Sequence, residues 1–161
     1  MPRDPHEELL ALLGAEVSAT QETTDAADEA VAVYLGVNRT DLRCLSLLFR
    51  EIDTATPGQL GTVLGLTTGS ITAMVDRLER QGYLVRTPDP ADRRKIVIRL
   101  TAEVVEQITA LYRPLIEAGL RELARYTEAE LELIIDFQRR SRRLQEEHRT
   151  RVLRTSEQRS R

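Results

Sequence analysis

The segment that constrains the fold most is residues 56–101, which encode two short helices joined by a glycine turn. Its opening tetrapeptide, T-P-G-Q at residues 56–59, supplies an N-cap hydroxyl, a proline at the first helical position and a capping-box glutamine, and so predicts a helix start. Gly65 suits a left-handed C-cap, and Thr67 can cap a second helix that runs to about residue 81, where Gly82 ends it. These local signals predict a helix, a tight turn and a second helix.

Each of the two predicted helices has one apolar side. In the first helix, the residues expected to face the core are Leu60, Val63 and Leu64. In the second they are Ile71, Met74, Val75 and Leu78, which recur at helical spacing. The other side of the second helix carries Gly69, Thr72, Ala73, Asp76, Arg77 and Arg80. Because the first of these outward side chains are small, the second helix is suited to close approach to another surface.

Two β-branched runs follow, at residues 83–87 and 96–100, and the polar segment P-D-P-A-D-R-R-K lies between them at residues 88–95. The runs predict two strands, and the turn formers between them predict a hairpin. The fold class expected for the chain is therefore mainly α with a small β-wing, which is a winged helix-turn-helix flanked by long helices. A helix and a wing of this kind can engage two adjacent grooves of double-stranded DNA.

The formal net charge of −3 is unevenly distributed along the 161 residues. Residues 1–55 carry 4 basic and 11 acidic side chains, residues 56–100 carry 7 and 4, and residues 101–161 carry 12 and 11. The basic excess therefore falls on the winged segment, and the local field rather than the total charge attracts phosphate. The alternative interpretation is a basic hairpin that is merely exposed to solvent and binds no phosphate.

Composition argues against several other classes of protein. With one cysteine and two histidines at opposite ends of the sequence, we expect no internal disulfide and no metal site. Residues 1–10 are acidic and no apolar run is long enough to span a bilayer, so we expect a cytoplasmic protein without membrane contact. An enzyme would need a nucleophile with a base, paired carboxylates in a cleft or a phosphate-binding loop, and the sequence indicates none of these. We therefore expect a protein that is not an enzyme and has no cofactor.

Long helices are predicted before the winged segment. Residues 6–35 are expected to form one helix that ends at Gly36, and Asn38 is expected to cap a second helix that runs to about Asp53. The first helix is expected to have two apolar stripes, an early one of Leu9, Leu10, Leu13 and Val17 and a later one of Ala27, Ala30, Val31, Tyr34 and Leu35. The expected stripe of the second helix is Leu42, Leu45, Phe49 and Ile52. Cys44 lies at the edge of the second stripe, and we interpret it as a small buried or half-buried hydrophobe.

Two more helices are predicted after the wing. Thr101 is expected to cap a helix from Ala102 to about Arg125 that is kinked by Pro114, with Val105, Ile108, Leu111, Leu115 and Leu123 as apolar positions. The sequence T-E-A-E at residues 127–130 is a capping box for the last helix, and a frayed tail is expected at residues 156–161. We treat residues 1–161 as one domain. Its segments 1–55 and 101–155 are expected to contribute to a homodimer, because they carry more apolar surface than the winged segment can cover.

Four motifs in order carry a resemblance to a known family. They are L-x-L-T-x-x-S-I-T from residue 64, V-D-R-L-E-R-Q-G-Y-L from residue 75, D-P-x-D-R-R from residue 89 and I-R-L-T from residue 98. Together they resemble the MarR family of bacterial transcription regulators. The resemblance implies a dimeric DNA-binding repressor or activator, often controlled by a small-molecule effector or an oxidant. It also implies a dimer formed by intertwined terminal helices.

The outward residues and the resemblance together give a candidate DNA-binding set. It consists of Thr68, Ser70, Thr72, Ala73 and Arg77 in the second helix of the pair, and of Arg86, Asp92, Arg93, Arg94 and Lys95 in the wing. Hydroxyl groups can donate to phosphates or base edges, and an arginine supplies a strong cationic contact. Family members commonly place Arg where this chain has Ala73, which favours reliance on DNA shape or on a thymine methyl at that position.

The wing carries the most specific expectation from the resemblance. Asp92 and Arg94 match the family's D-x-R element, in which Asp orients the backbone or a neighbouring Arg and the Arg enters the minor groove. A narrow minor groove concentrates negative potential, so a guanidinium on a rigid hairpin is well suited to it. Arg86, Arg93 and Lys95 are expected to contact phosphates.

Several alternatives remain open from the sequence. The last predicted helix contains a basic run that has three interpretations: a solvated helix face, a partner for the acidic N-terminal helix, or a phosphate contact. The run consists of Arg139, Arg140, Arg142 and Arg143.

The family's effector pocket maps onto the first two helices and the start of the helix after the wing, with no ligand indicated. In the peroxide-sensing branch the reactive cysteine belongs to the first helix, so Cys44 is not expected to be a switch. An interaction scaffold without specific DNA binding is the alternative function, although the R-R-K tip has no evident use in it.

Overall fold

The computed structural model describes residues 4–159, and in this range six helices and two strands follow one another. They are α1 (Pro5–Leu35), α2 (Arg39–Arg50), α3 (Pro57–Leu64), α4 (Thr68–Arg80), β1 (Leu84–Pro88), β2 (Ile96–Leu100), α5 (Ala102–Leu123) and α6 (Glu128–Arg159). The chain divides into two compact units, one that ends at Ile108 and one that begins at Thr109. The predicted fold class, mainly α with a β-wing, is confirmed. Within the described range, the helices lack the combination of length and apolar character needed to cross a membrane.

Local capping sets the helix starts that the sequence predicts. The hydroxyl of Thr56 accepts a hydrogen bond from the backbone N–H of Gln59 at 3.3 Å, and the Gln59 side chain accepts one from the Thr56 N–H at 2.8 Å. Both halves of the predicted capping box of α3 are therefore present. By contrast, α2 ends at Arg50 rather than near Asp53.

The core of the first unit lies where α2, α3, α4 and the wing meet. All four apolar residues predicted for α4 are buried, and so are Leu42 and Leu45 of α2. Phe49 and Ile52 are only partly buried, and α2 contributes Cys44, Leu47 and Leu48 to the core as well. The core face of α2 is thus wider than the predicted stripe.

Some positions expected to face the core are exposed instead. Val63 is 46% exposed, because the short helix α3 inserts only Leu60 and Leu64. In α1 the buried residues are Ala32 and Leu35, whereas Ala27, Ala30 and Tyr34 face outward, because burial in α1 is confined to its last turn. In α5 the buried residues are Val104 and Ile108, whereas Val105, Leu115 and Leu123 are exposed.

The wing is an antiparallel hairpin that is tied to the core by a third short segment. Leu84 of β1 pairs with Leu100 of β2, and Pro88 pairs with Ile96. Ala55, just before α3, forms a bridge with Ile98 of β2 in which the two backbone N–H···O distances are 3.1 and 2.8 Å. Because Ile98 and Ala55 are both fully buried, the base of the wing is anchored to the segment that introduces the helix pair.

The second unit contains the remainder of α5 and all of α6. The α5 helix continues through Pro114 to Leu123, and the hydroxyl of Thr127 and the carboxylate of Glu130 form the capping box predicted for α6. The α6 helix extends to Arg159. Fraying from residue 156 is therefore not observed as far as residue 159, and residues 160–161 lie outside the described range.

Cys44 is fully buried among apolar residues of α2, as the sequence predicts. Burial, and to a smaller extent the nearby negative charge of Asp41, raises the pKa of its thiol from 9.0 to about 12. The thiol therefore stays protonated and poorly nucleophilic in the folded chain at neutral pH.

This pKa shift predicts a pH dependence of stability. Above about pH 9 the thiol of the unfolded chain ionises while that of the folded chain keeps its proton, up to about pH 12. The free energy of unfolding should therefore fall with rising pH in this window, by at most about 1.4 kcal/mol per pH unit from this group. Urea unfolding of the natural chain and of Cys44→Ala between about pH 8 and about pH 10.5 measures the difference. Equal pH slopes for the two proteins would contradict the prediction.

Candidate nucleic-acid interface

The outward side of α4 is a narrow surface of small and hydroxyl side chains. Thr67 caps the helix by accepting from the backbone N–H of Ser70 at 3.3 Å, and the two hydroxyl oxygens lie 2.9 Å apart. The hydroxyl of Thr72 donates to the carbonyl oxygen of Thr68 at 3.0 Å. Thr68, Ser70, Thr72 and Ala73 are all exposed, as predicted for residues that contact DNA.

The turn between α3 and α4 depends on two glycines. Gly65 adopts the left-handed conformation, with φ of 69°, that the sequence predicts for the end of α3. Gly61 lies against α4, because a Cβ atom at this position would lie 3.3 Å from Cγ1 of Ile71 and 3.3 Å from the carbonyl oxygen of Leu66. The absence of a side chain at Gly61 therefore permits the close packing of the helix pair.

Arg77 is held by a buried carboxylate of α2. Its Nε donates to Oδ2 of Asp41 at 2.8 Å, and its Nη2 donates to Oδ1 at 2.6 Å. The Asp41 side chain is 1% exposed and that of Arg77 is 40% exposed. These hydrogen bonds raise the pKa of the Arg77 guanidinium, which therefore stays charged. The sequence predicts Arg77 on the outward surface but does not indicate its partner.

Arg86 connects the wing to α4 instead of being a freely available cation. Its guanidinium forms ion pairs with the carboxylates of Asp76 and Glu79, and its backbone N–H donates to Glu79 at 3.4 Å. The hydrogen bond to Asp76 and the charges of both carboxylates raise the pKa of the guanidinium. The expected role of Arg86 as a phosphate contact is weakened by this pairing, since two carboxylates already neutralise its charge.

Two aspartates shape the tip of the wing. Oδ1 of Asp89 accepts from the backbone N–H groups of Ala91 and Asp92 at 2.7 and 3.3 Å. Oδ1 of Asp92 accepts from the backbone N–H of Arg94 at 3.2 Å. The D-x-R element thus orients the backbone of its own arginine, which is one of the two arrangements implied by the family resemblance. The part played by Asp89 was not foreseen.

The three basic side chains at the tip are exposed. Among residues 4–159, Arg93 and Arg94 make no ion pair, and Lys95 is 3.9 Å from its nearest carboxylate, Oδ2 of Asp92. The side chains of Lys95 and Asp92 are 64% and 44% exposed, so this pair is weak. The tip therefore presents three cations on a turn whose backbone is fixed by hydrogen bonds.

The basic run of α6 pairs in part within its own helix. Arg140 donates to Asp136 at 2.8 Å, and Arg142 is 3.9 Å from Glu146. These i,i+4 pairs fit a solvated helix face, and the other two interpretations of the run are not tested by them. Over the described range, no three acidic, histidine or cysteine side chains cluster as ligands for a metal ion.

Comparisons with known proteins give a consistent result. Residues 35–95 match the model of the MarR family. The chain is 46% identical over 109 residues to YcgE of Bacillus subtilis (strain 168), an uncharacterized HTH-type transcriptional regulator, and the match covers 68% of this chain and 70% of YcgE. Among solved structures, wild-type MarR (apo form) from E. coli is 25% identical with a TM-score of 0.51, over 77% of this chain and 93% of MarR. YusO from Bacillus subtilis is 21% identical with a TM-score of 0.58, over 87% of this chain and 99% of YusO, and shows the same fold.

Proposed function

Because this chain belongs to the MarR family of transcription regulators, we propose that it binds double-stranded DNA in a sequence-specific manner as a homodimer and acts as a repressor. The observation that best supports DNA binding is the tip of the wing, where Arg93, Arg94 and Lys95 are exposed on a turn fixed by Asp89 and Asp92. A rigid turn that carries cations loses little entropy on contact with phosphate or with the minor groove. We place the protein in the cytoplasm with its DNA and assign it no enzymatic role.

In the proposed complex, α4 enters the major groove and the wing reaches the adjacent minor groove. Two α4 helices of a dimer would then lie in successive major grooves about 34 Å apart, so the operator should be an imperfect inverted repeat. Thr68, Ser70 and Thr72 supply hydroxyls to phosphates or base edges, and Ala73 leaves room for a thymine methyl. Binding of a small-molecule effector between α1, α2 and the start of α5 would release the DNA.

Exposed apolar side chains support the homodimer. They occur near the start of α1, where Leu9, Leu10, Leu12 and Leu13 are exposed, and in the second unit at Leu115, Ile116, Leu120, Leu133, Leu144 and Leu153. A soluble chain that leaves so many large apolar side chains in water is expected to cover them with a partner, and the proposal commits to a second copy. Deletion of residues 1–20 or of residues 140–161 should therefore weaken the dimer.

The proposed contact between wing and DNA has a direct test, because Lys95 is the only lysine in the sequence. N-hydroxysuccinimidyl acetate acetylates the side chain of Lys95 and the α-amino group of the chain. Peptide mass spectrometry measures the two acetylation rates separately. Saturating duplex DNA should slow acylation of Lys95 and leave the rate at the α-amino group, the internal control, unchanged. Equal rates at Lys95 with and without DNA would contradict the proposal and favour a scaffold that does not use its wing on DNA.

Salt titrations should separate the role of the wing from that of α4. Lys95→Ala should weaken binding to all sequences alike and lower the slope of log affinity against log salt by about one per lost contact, or about two per dimer. Thr72→Ala should instead alter base preference within a half-site and leave the slope nearly unchanged, because a hydroxyl releases no counterion. An unchanged slope for Lys95→Ala would remove Lys95 from the phosphate contacts.

A further inference from the structure

Asp41 is the only charged side chain that is buried in the described part of the chain. It belongs to the first turn of α2, where its backbone N–H donates to the side chain of Asn38 at 2.9 Å. A buried carboxylate is unfavourable unless it is paired and hydrogen-bonded, and Arg77 of α4 supplies both requirements through two hydrogen bonds. The ion pair therefore links the start of α2 to the outward side of α4.

The geometry of this pair leaves three of the five N–H groups of the guanidinium available. The bonds to Asp41 use Nε and one N–H of Nη2, so both N–H groups of Nη1 and the second N–H of Nη2 are not used. Arg77 forms no other hydrogen bond within residues 4–159, and its side chain is 40% exposed. The edge formed by Nη1 and Nη2 has the fork spacing that matches two acceptors on a base or a phosphate.

We propose that Asp41 is a positioning residue for DNA recognition, which holds Arg77 so that its Nη1–Nη2 edge meets a pair of acceptor atoms on DNA. This inference rests on the proposed function. Because α2 is packed into the core through Leu42 and Leu45, the carboxylate is itself fixed. The guanidinium therefore loses less conformational entropy on binding DNA than a free arginine would.

The main variant is Asp41→Asn, which keeps the size of the side chain and removes its charge. Two duplexes serve as probes: the one that the natural chain enriches from a random-sequence library, and the same duplex with its base order shuffled. Affinities are compared at a temperature at which circular dichroism shows every variant to be folded. We expect affinity for the enriched duplex to fall by about tenfold per half-site, the effect of losing one arginine contact.

The matched control is Asp25→Asn, because Asp25 also pairs with an arginine, Arg39 at 3.0 Å, but on the solvent-exposed surface. It should change neither stability nor DNA affinity. The apolar pair Asp41→Leu/Arg77→Met tests for a merely structural role. Apolar side chains often replace a buried ion pair without loss of stability, so the unfolding midpoint should recover while DNA affinity stays low. Should Asp41→Asn not fold, this variant still tests whether the ion pair serves stability alone.

Each result has a defined meaning. Loss of affinity for the enriched duplex alone assigns the contact to a base edge, whereas equal loss on both duplexes with a lower salt slope assigns it to phosphate. Unchanged DNA affinity in Asp41→Asn, or full recovery of affinity in the apolar pair, would overturn the inference. A natural chain that enriches no sequence would instead contradict the proposed function.

Discussion

Glutamates placed at two apolar positions of α5 are expected to convert the dimer to monomers and to lower affinity for the operator by about 10²–10⁴-fold. The variant is Ile116→Glu/Leu120→Glu, at positions that are 57% and 62% exposed in the single chain. Because both side chains already face water there, the charges should cost the folded monomer little. A dimer interface would have to bury them unpaired, which is unfavourable. The loss in affinity follows because two linked half-sites bind that much more tightly than one.

Sedimentation velocity at micromolar concentration and a gel shift on the same samples measure this effect. The matched control, Ala110→Glu/Arg121→Glu, introduces two glutamates at exposed positions that lie roughly 110° around α5 from Ile116 and Leu120. It should remain a dimer and keep its affinity. A dimeric Ile116→Glu/Leu120→Glu variant would show that this face of α5 lies outside the interface. A monomeric natural chain would remove the dimer from the proposed function altogether.

Arg94→Ala should produce the largest loss among single substitutions in the wing. We expect a cost of roughly 1–3 kcal/mol per subunit, hence roughly 2–6 kcal/mol per dimer. The physical reason is that Asp92 fixes the backbone at Arg94 through a hydrogen bond of 3.2 Å, so only the side chain has to be ordered when the guanidinium enters a narrow minor groove. The loss should be greatest on sites whose flanks are rich in A·T pairs, because their minor groove is narrowest.

The measurement is a binding titration on the operator and on a variant whose flanks are changed to G·C. Arg99→Ala is the control, because Arg99 is also an exposed arginine of the wing but lies in β2, away from the tip. It should have little effect on either duplex. If Arg94→Ala binds both duplexes as tightly as the natural chain, the minor-groove role implied by the resemblance fails at its most specific residue.

The sequence predicts those parts of the fold that local chemistry determines. The capping boxes at Thr56 and Thr127 and the left-handed turn at Gly65 are confirmed, because each depends only on residues within one helical turn. The four core residues of α4 are also confirmed, since a short helix packed on one side has an unambiguous helical period. Errors arise where burial depends on a partner element, as at Val63, whose exposure is set by how α3 meets its neighbours.

The roles of the arginines were harder to predict than their positions. Arg77 and Asp41 are 36 residues apart, and no periodic pattern relates a residue at the start of α2 to one late in α4. Arg86 was expected to contact phosphate because it is basic and belongs to the wing, but Asp76 and Glu79 approach it only once the wing packs beside α4. Sequence alone identifies which side chains are cationic, whereas the packed structure identifies which of them are already neutralised.

The outward residues of α4 have a consequence for how such a chain can diverge. Thr68, Gly69, Thr72 and Ala73 are exposed, and the apolar contacts of the helix are made by other residues. Substitutions at these four positions therefore cost little folding free energy, so they can accumulate without loss of the protein. Under the proposed function, duplicated copies of the gene can in this way acquire new target sites while they retain one architecture. A library randomised at these positions should consist mostly of folded members, which makes this helix a practical starting point for engineering altered specificity.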